Sequence, residues 1–196
     1  MCRKMRNFAP KIVKQKKQFK LTAPEYIQLK AFARIDGAML SVLMMAGFVC
    51  HVMSLTSPIY EYLASAMIVM TPFFVGSRLK RFRDYGREGV ISFMRGWAYV
   101  SMMFFYGGLL FALMHYGYMT YIDKGHLAST VTQVMSIPEI AETARQMGMA
   151  DDLNEMVRML QIMRPIDFSL NMLTIMVTAG ILLGMPIAAI MKKVKQ

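Results

Sequence analysis

The sequence predicts an all-α integral membrane protein: four transmembrane helices, both termini cytoplasmic, and a 45-residue helical external segment (122–166) between spans three and four. Three observations predict it. Uncharged runs extend from Gly37 to Tyr60, from Tyr62 to Ser77, from Gly96 to Ile122 and from Phe168 to Met191, and three of them reach the roughly 20 residues a spanning helix needs. Between the middle two lies a basic stretch at 77–95, SRLKRFRDYGREGVISFMR, with six Lys/Arg against two acids. Finally, the cations are unevenly shared. Ten Lys/Arg precede Gly37, six lie in the hairpin and three in the closing KKVKQ, against four in the two remaining connections. Because the cytoplasmic side collects Lys and Arg, nineteen against four sets both ends and the hairpin inside. The hairpin cations Arg78, Lys80, Arg81, Arg83, Arg87 and Arg95 are therefore the topology-determining residues.

In chain order, residues 1–34 form a basic cytoplasmic arm. Its eight cations up to Lys20, just before a span, are expected to meet anionic lipid at the cytoplasmic face. Thr22, Pro24 and Glu25 read as a helix start, either of a short interfacial helix or of the wet first turns of span one. A continuous or slightly bent helix from about Pro24 to Met53 is favoured, with Arg34 and Asp36 at the boundary. The membrane domain is 35–192, with spans at about 35–55, 58–76, 96–121 and 168–191, followed by a basic tail at 193–196.

Span one offers Gly37 and Gly47 for close helix contact. His51, near its outer end, can reach headgroups or bond a neighbouring helix; proton or ligand chemistry is the minor reading. A linker of about half a dozen residues makes spans one and two antiparallel neighbours. Span two starts at Pro58 and carries Tyr60 and Tyr62 as interfacial anchors. Glu61 beside them reads as a solvated acid, since no partner for a proton relay is evident. Pro72 is expected to bend the last turns. Span three has Trp97 and Tyr99 at one end and Tyr116, Tyr118 and Tyr121 at the other, an aromatic belt. Gly107 and Gly108 at mid-span are candidate helix-contact residues. In span four, Gly180 and Gly184 form GILLG, a GxxxG pattern of low specificity. Asn171 is a candidate for a cross-helix bond, and Pro186 is expected to kink the final turns.

Residues 122–166 reverse the charge, with six acids against four cations. Two helices are expected: one capped by Ser136 with Glu139 and ended by Gly148, the other capped by Asp152 with Glu155 and ended before Pro165. On the second, Leu153, Met156, Val157, Leu160 and Met163 form a helical stripe. It can be buried on the outer surface of the bundle, in the lipid interface or on a partner; the acidic polar face favours the protein itself or a second copy. These five are the candidate external interaction residues. The acids at 139, 142, 151, 152 and 155 match neither a calcium loop nor a zinc signature.

Catalytic, cofactor and metal assignments are all none. HExxH, CxxC, GxSxG and P-loop patterns are missing, and His51, His115 and His126 lack ligand spacing with the cysteines. The best remaining cluster is His115 and His126 with the external acids, an enzyme reading that requires a histidine within hydrogen-bond reach of a carboxylate. Cys2 and Cys50 lie too far apart along the threading to form a structural bridge. A nucleic acid is not the expected partner of the net charge of +11, because neither interleaved exposed aromatics nor a recognition motif accompanies it. A cleaved signal peptide is not expected either, because the first apolar run starts late and is too long. The spans are nearly free of charge at their centres and show no duplication, which weighs against a transporter.

The run RDYGREGVISFMRGWAYVSMMFFYGGLLFALMHY, with Arg83, Asp84, Gly86, Gly89, Ile91, Ser92 and Phe93, resembles the signature of an uncharacterised family of small four-span inner-membrane proteins from Bacteroidetes, classed as a domain of unknown function. The likeness extends over about residues 35–192, including the acidic helical segment before the last span. It implies a bacterial inner-membrane location and transfers no catalytic residue. The expected function is that of a non-enzymatic accessory or assembly subunit, with the lipid bilayer, a second copy or another membrane protein as partner. The alternative is a small transporter or channel.

Overall fold

A computed structural model describes residues 23–54 and 56–193, without the side chains of 127, 128, 131, 160 and 161. The expected basic arm up to Thr22 and the tail at 194–196 lie outside the described residues. Among those described there are seven α-helices and no β-sheet: α1 Ala23–Met53, α2 Ile59–Gly86, α3 Phe93–Gly117, α4 His126–Met135, α5 Pro138–Gln146, α6 Ala150–Ile162 and α7 Pro165–Met191. Four apolar helices are long enough to cross a membrane: α1, α2, α3 with its continuation to Asp123, and α7. The chain is thus a multi-pass membrane protein.

It divides into two compact units. Unit 1 comprises residues up to Phe111 together with Ile175 onward, and unit 2 is Ala112–Thr174. Within unit 1, α1 buries Leu29, Ala33, Asp36, Gly37, Leu40 and Ser41, the steps of three and four that place side chains on one helical face. The central helix is α3, with Tyr99, Val100, Met103 and Phe104 almost wholly inaccessible. Partners order the helices. Asp36 faces Arg78 and His51 faces Glu61, so α1 and α2 run antiparallel, as the short linker requires.

One expectation about the hairpin changes. The basic stretch is not a turn throughout: α2 stays helical to Gly86, ten residues past the apolar run's last glycine, Gly76. Reversal is confined to 87–92, where Glu88 and Gly89 adopt positive φ of 50° and 79°. A glycine suits the second of these, having no Cβ to clash in that region. The turn is then fastened to the far end of the chain, because Ile91 and Lys193 exchange backbone N–H to carbonyl bonds of 2.9 and 3.0 Å.

Unit 2 also differs from expectation. Helix α3 continues into a π-helical turn at Tyr118–Asp123, and three helices, not two, follow before α7. The extra one is α4, an apolar stretch free of Pro between Gly125 and the Ser136–Ile137 break. Neither expected capping box forms. Ser136 instead ends α4 and donates its hydroxyl to the Gln133 carbonyl at 2.7 Å, while α5 starts from Ile137 with Pro138 as first residue. Helix α6 starts earlier than expected, at Ala150, with Asp151 and Asp152 in its first turn, where carboxylates complement the positive helix end. Gly148 does end α5, with φ of 68°. A cap that sequence reading overlooked opens α7: Asp167 accepts the Arg164 backbone N–H at 3.0 Å and pairs with its guanidinium at 3.0 and 3.1 Å. This is the reach-back from the third helical residue that satisfies an orphan donor.

Candidate functional site

In unit 1, the hairpin cations are drawn into ion pairs with α1. Glu25, in the first turn of α1, accepts from Arg87 at 2.8 Å and from Arg95 at 3.0 Å. A carboxylate has room for both because its two oxygens each offer lone pairs. About three turns further along α1, Asp36 is buried; it accepts the Tyr99 hydroxyl and stands 3.7 Å from the Arg78 guanidinium. The Tyr99 ring stacks on Phe82 of α2 with centroids 4.6 Å apart, and Phe32 of α1 joins at 5.3 Å. Arg83 donates to Asp84 at 2.8 Å and to the Met191 carbonyl at 3.2 Å, an orphan acceptor of the last turn of α7.

Four of the six hairpin cations, Arg78, Arg83, Arg87 and Arg95, thus have side chains only 15–20% exposed and carboxylate partners. Lys80 and Arg81 face outward. The chemistry of this knot is cross-linking: buried charge is tolerated where each charge has a partner, and each pair here joins different helices or a helix to the turn, apart from Arg83 and its neighbour Asp84. The sequence signal was Glu25 and Asp36 themselves, two acids on one helix face next to a cation-rich hairpin.

The glycines make the helix crossings close. A Cβ on Gly37 would stand 2.8 Å from the Met103 carbonyl oxygen, and one on Gly107 2.8 Å from the Gly37 carbonyl oxygen, so α1 and α3 meet backbone to backbone. Gly108 is buried beside it. A Cβ on Gly180 would collide with Phe104, and one on Gly184 would lie 3.0 Å from the Trp97 ring. The Trp97 indole N–H then donates to the Ile181 carbonyl at 3.0 Å. That ring thus joins α3 to α7.

His51 acquires the partner that sequence reading did not find, Glu61, through a 3.0 Å contact from its Nδ1. Facing an ionised carboxylate, which only accepts, Nδ1 is the donor, in the neutral and in the doubly protonated ring alike. In unit 2, His115 is buried with Nδ1 3.2 Å from the Ser169 hydroxyl, whose own proton goes to the Pro165 carbonyl at 3.0 Å. His115 is therefore the donor. Asp123 is buried too and accepts the Gly125 backbone N–H at 3.1 Å, whereas His126 is exposed. Among the described residues, no group of three His, Cys, Asp or Glu side chains could hold a metal ion. Asn171 is exposed.

The expected external stripe is divided. Leu153 and Val157 are half-buried as α6 packs on α4 and α5, and Leu153 lines a small cavity of about 80 Å³ with Met135, Ile140 and Ala144. Met163 is half-buried, Met156 is exposed, and the Leu160 side chain lies outside the described residues. Met159 and Ile162, which the stripe omitted, are 51% and 75% exposed.

Neither a curated protein nor a solved structure matches the chain. Residues 32–193 match the family described as Protein of unknown function (DUF4199), and the chain belongs to that family.

Proposed function

We propose that this protein is a non-enzymatic accessory or assembly subunit of a bacterial inner membrane, threaded with both termini in the cytoplasm and engaging a partner or a second copy through unit 2. The observation that carries the reading is the apolar face that α6 leaves uncovered at Met156, Met159 and Ile162, with Met147 and Met149 exposed on the preceding turn. Exposed apolar side chains outside the spans mark a contact surface, and flexible thioethers adapt to irregular partners. The polar groups of unit 1 are spent on holding its helices together, which suits a scaffold. Lys80 and Arg81 remain outward for anionic headgroups.

Cysteine placed at 159 or 162 in the full chain, with crosslinking in native membranes, tests this. A crosslinked dimer or a discrete heteromeric band is expected; a monomer at every position would defeat it. Reporter fusions at the C terminus and at residue 145 should give opposite sides, and a cytoplasmic signal at 145 would reverse the threading. A small transporter or channel is the second reading, supported by the buried Asp36 and Tyr99 and the half-buried Arg78 between helices, since ionisable groups between helices mark pathways in membrane proteins. Reconstituted vesicles that pass no ion or solute across a broad panel would remove it.

A further inference from the structure

At the end of α1 and α2 away from the basic hairpin, unit 1 carries a laterally open groove of about 190 Å³. Leu43, Phe48, Ile68 and Phe111 form its walls, and His51 and Glu61 stand at its mouth. Two small residues, Gly47 and Ala64, belong to its lining. Ala64 is buried, and a Cβ on Gly47 would find Met67 at ordinary van der Waals distance, 3.6 Å from its Cβ. The rest of the surface around it is that of membrane-crossing helices, so what reaches the groove is what a bilayer supplies.

The mouth narrows that choice. His51 Nδ1 and Glu61 Oε2 hold one another at 3.0 Å, leaving Glu61 Oε1 and His51 Nε2 outside that bond. One is a carboxylate acceptor that complements a cation bearing N–H groups. The other is an imidazole nitrogen that donates to a phosphate oxygen when the ring is protonated. Both halves of a zwitterionic headgroup are thus matched by one pair, whose helix-to-helix bond fixes its spacing above an apolar channel. A choline headgroup has no N–H to give, and a glycerol headgroup has no cation.

We propose that this groove binds one acyl chain of an ethanolamine phospholipid, its ammonium taken by Glu61 and its phosphate set against His51. The site shares no residue with the exposed face of α6, so either can fail alone.

Native mass spectrometry of the full chain in detergent, titrated with ethanolamine, choline and glycerol phospholipids of the same acyl chains, tests it. The wild type should retain the ethanolamine lipid about fivefold or more over the choline lipid, as expected for a charge-assisted bond at a partly wet site. Glu61→Gln should abolish that preference while leaving choline-lipid retention unchanged. Gly47→Leu, which fills the channel, should lower all three lipids together. Should that variant not fold, Ile68→Trp on the exposed groove wall gives the same reading. Equal retention of the three lipids by the wild type overturns the proposal. So does a preference that survives Glu61→Gln, or a crosslink from residue 68 that places a second copy's helix in the groove.

Discussion

The two units spend their side chains in opposite ways. In unit 1 the polar groups close on one another across helices, as Glu25 does with Arg87 and Arg95, and its apolar surface is left to lipid. In unit 2 three short helices bury little: among their described residues only Ala144 is buried, while Met147, Met159 and Ile162 stand open. The difference teaches where each solvent does the work. Inside a bilayer, apolar burial between helices gains little because lipid is equally apolar, so association rests on close packing and polar bonds. Where a short helix outside the spans meets water, an uncovered apolar face costs free energy until something covers it.

The sharpest way to break this contrast is Glu25→Ala. Removing the shared carboxylate leaves Arg87 and Arg95 without it in a largely buried setting, and unit 1 should lose about 3–5 kcal/mol, read as a fall in unfolding midpoint in detergent. An unchanged midpoint would mean that the ties are decoration. Gly37→Ala and Gly180→Ala come next, since each new Cβ meets a backbone oxygen or a packed ring base; overpacking of this kind costs about 1–3 kcal/mol. Trp97→Phe keeps an aromatic ring but loses the indole N–H bond to the Ile181 carbonyl together with part of the ring packed on Gly184; the bond alone accounts for about 1 kcal/mol, and a much larger loss would show that the indole's bulk matters more than its N–H. Smallest in stability is Ile162→Ser in unit 2, expected within about 0.5 kcal/mol, yet it should reduce crosslinking at position 159. If stability fell and crosslinking held, that face would be buried in the monomer and the contrast between the units would disappear.

Much of this architecture was legible in the residues. Length and apolarity gave four helices, and the boundaries of α1 and α7 fell within a few residues of expectation because Pro24, Pro165 and the end of the apolar runs are local signals. Helix ends set by competition were not legible. Ser136 has the spacing of a cap, but its hydroxyl bonds backward to Gln133, and Pro138 starts the next helix two residues later. The roles of the hairpin arginines were half legible. Counting charges uses their sign alone, whereas the partner of each depends on the antiparallel order of α1 and α2 and on where the turn at 87–92 directs Arg87 and Arg95. The pairing of His51 with Glu61 was hidden for the same reason, being ten residues apart across a linker whose geometry no periodicity reports. The glycines at 37, 107, 180 and 184 were visible as contact positions, but which ring or carbonyl each would meet was not.

The backbone bridge from Ile91 to Lys193 has a consequence for the order of biosynthesis. Unit 1 is built from two pieces of chain with unit 2 between them, and α7 supplies the surfaces that receive Phe104, Trp97 and Arg83. While the ribosome is still making residues 112–174, α1, α2 and α3 can pair, but one side of α3 stays open to lipid. The crossing at Gly180 and the latch at Ile91 can form only after translation has passed them, so the membrane unit completes itself last, after the segment it encloses in sequence has already had the opportunity to fold.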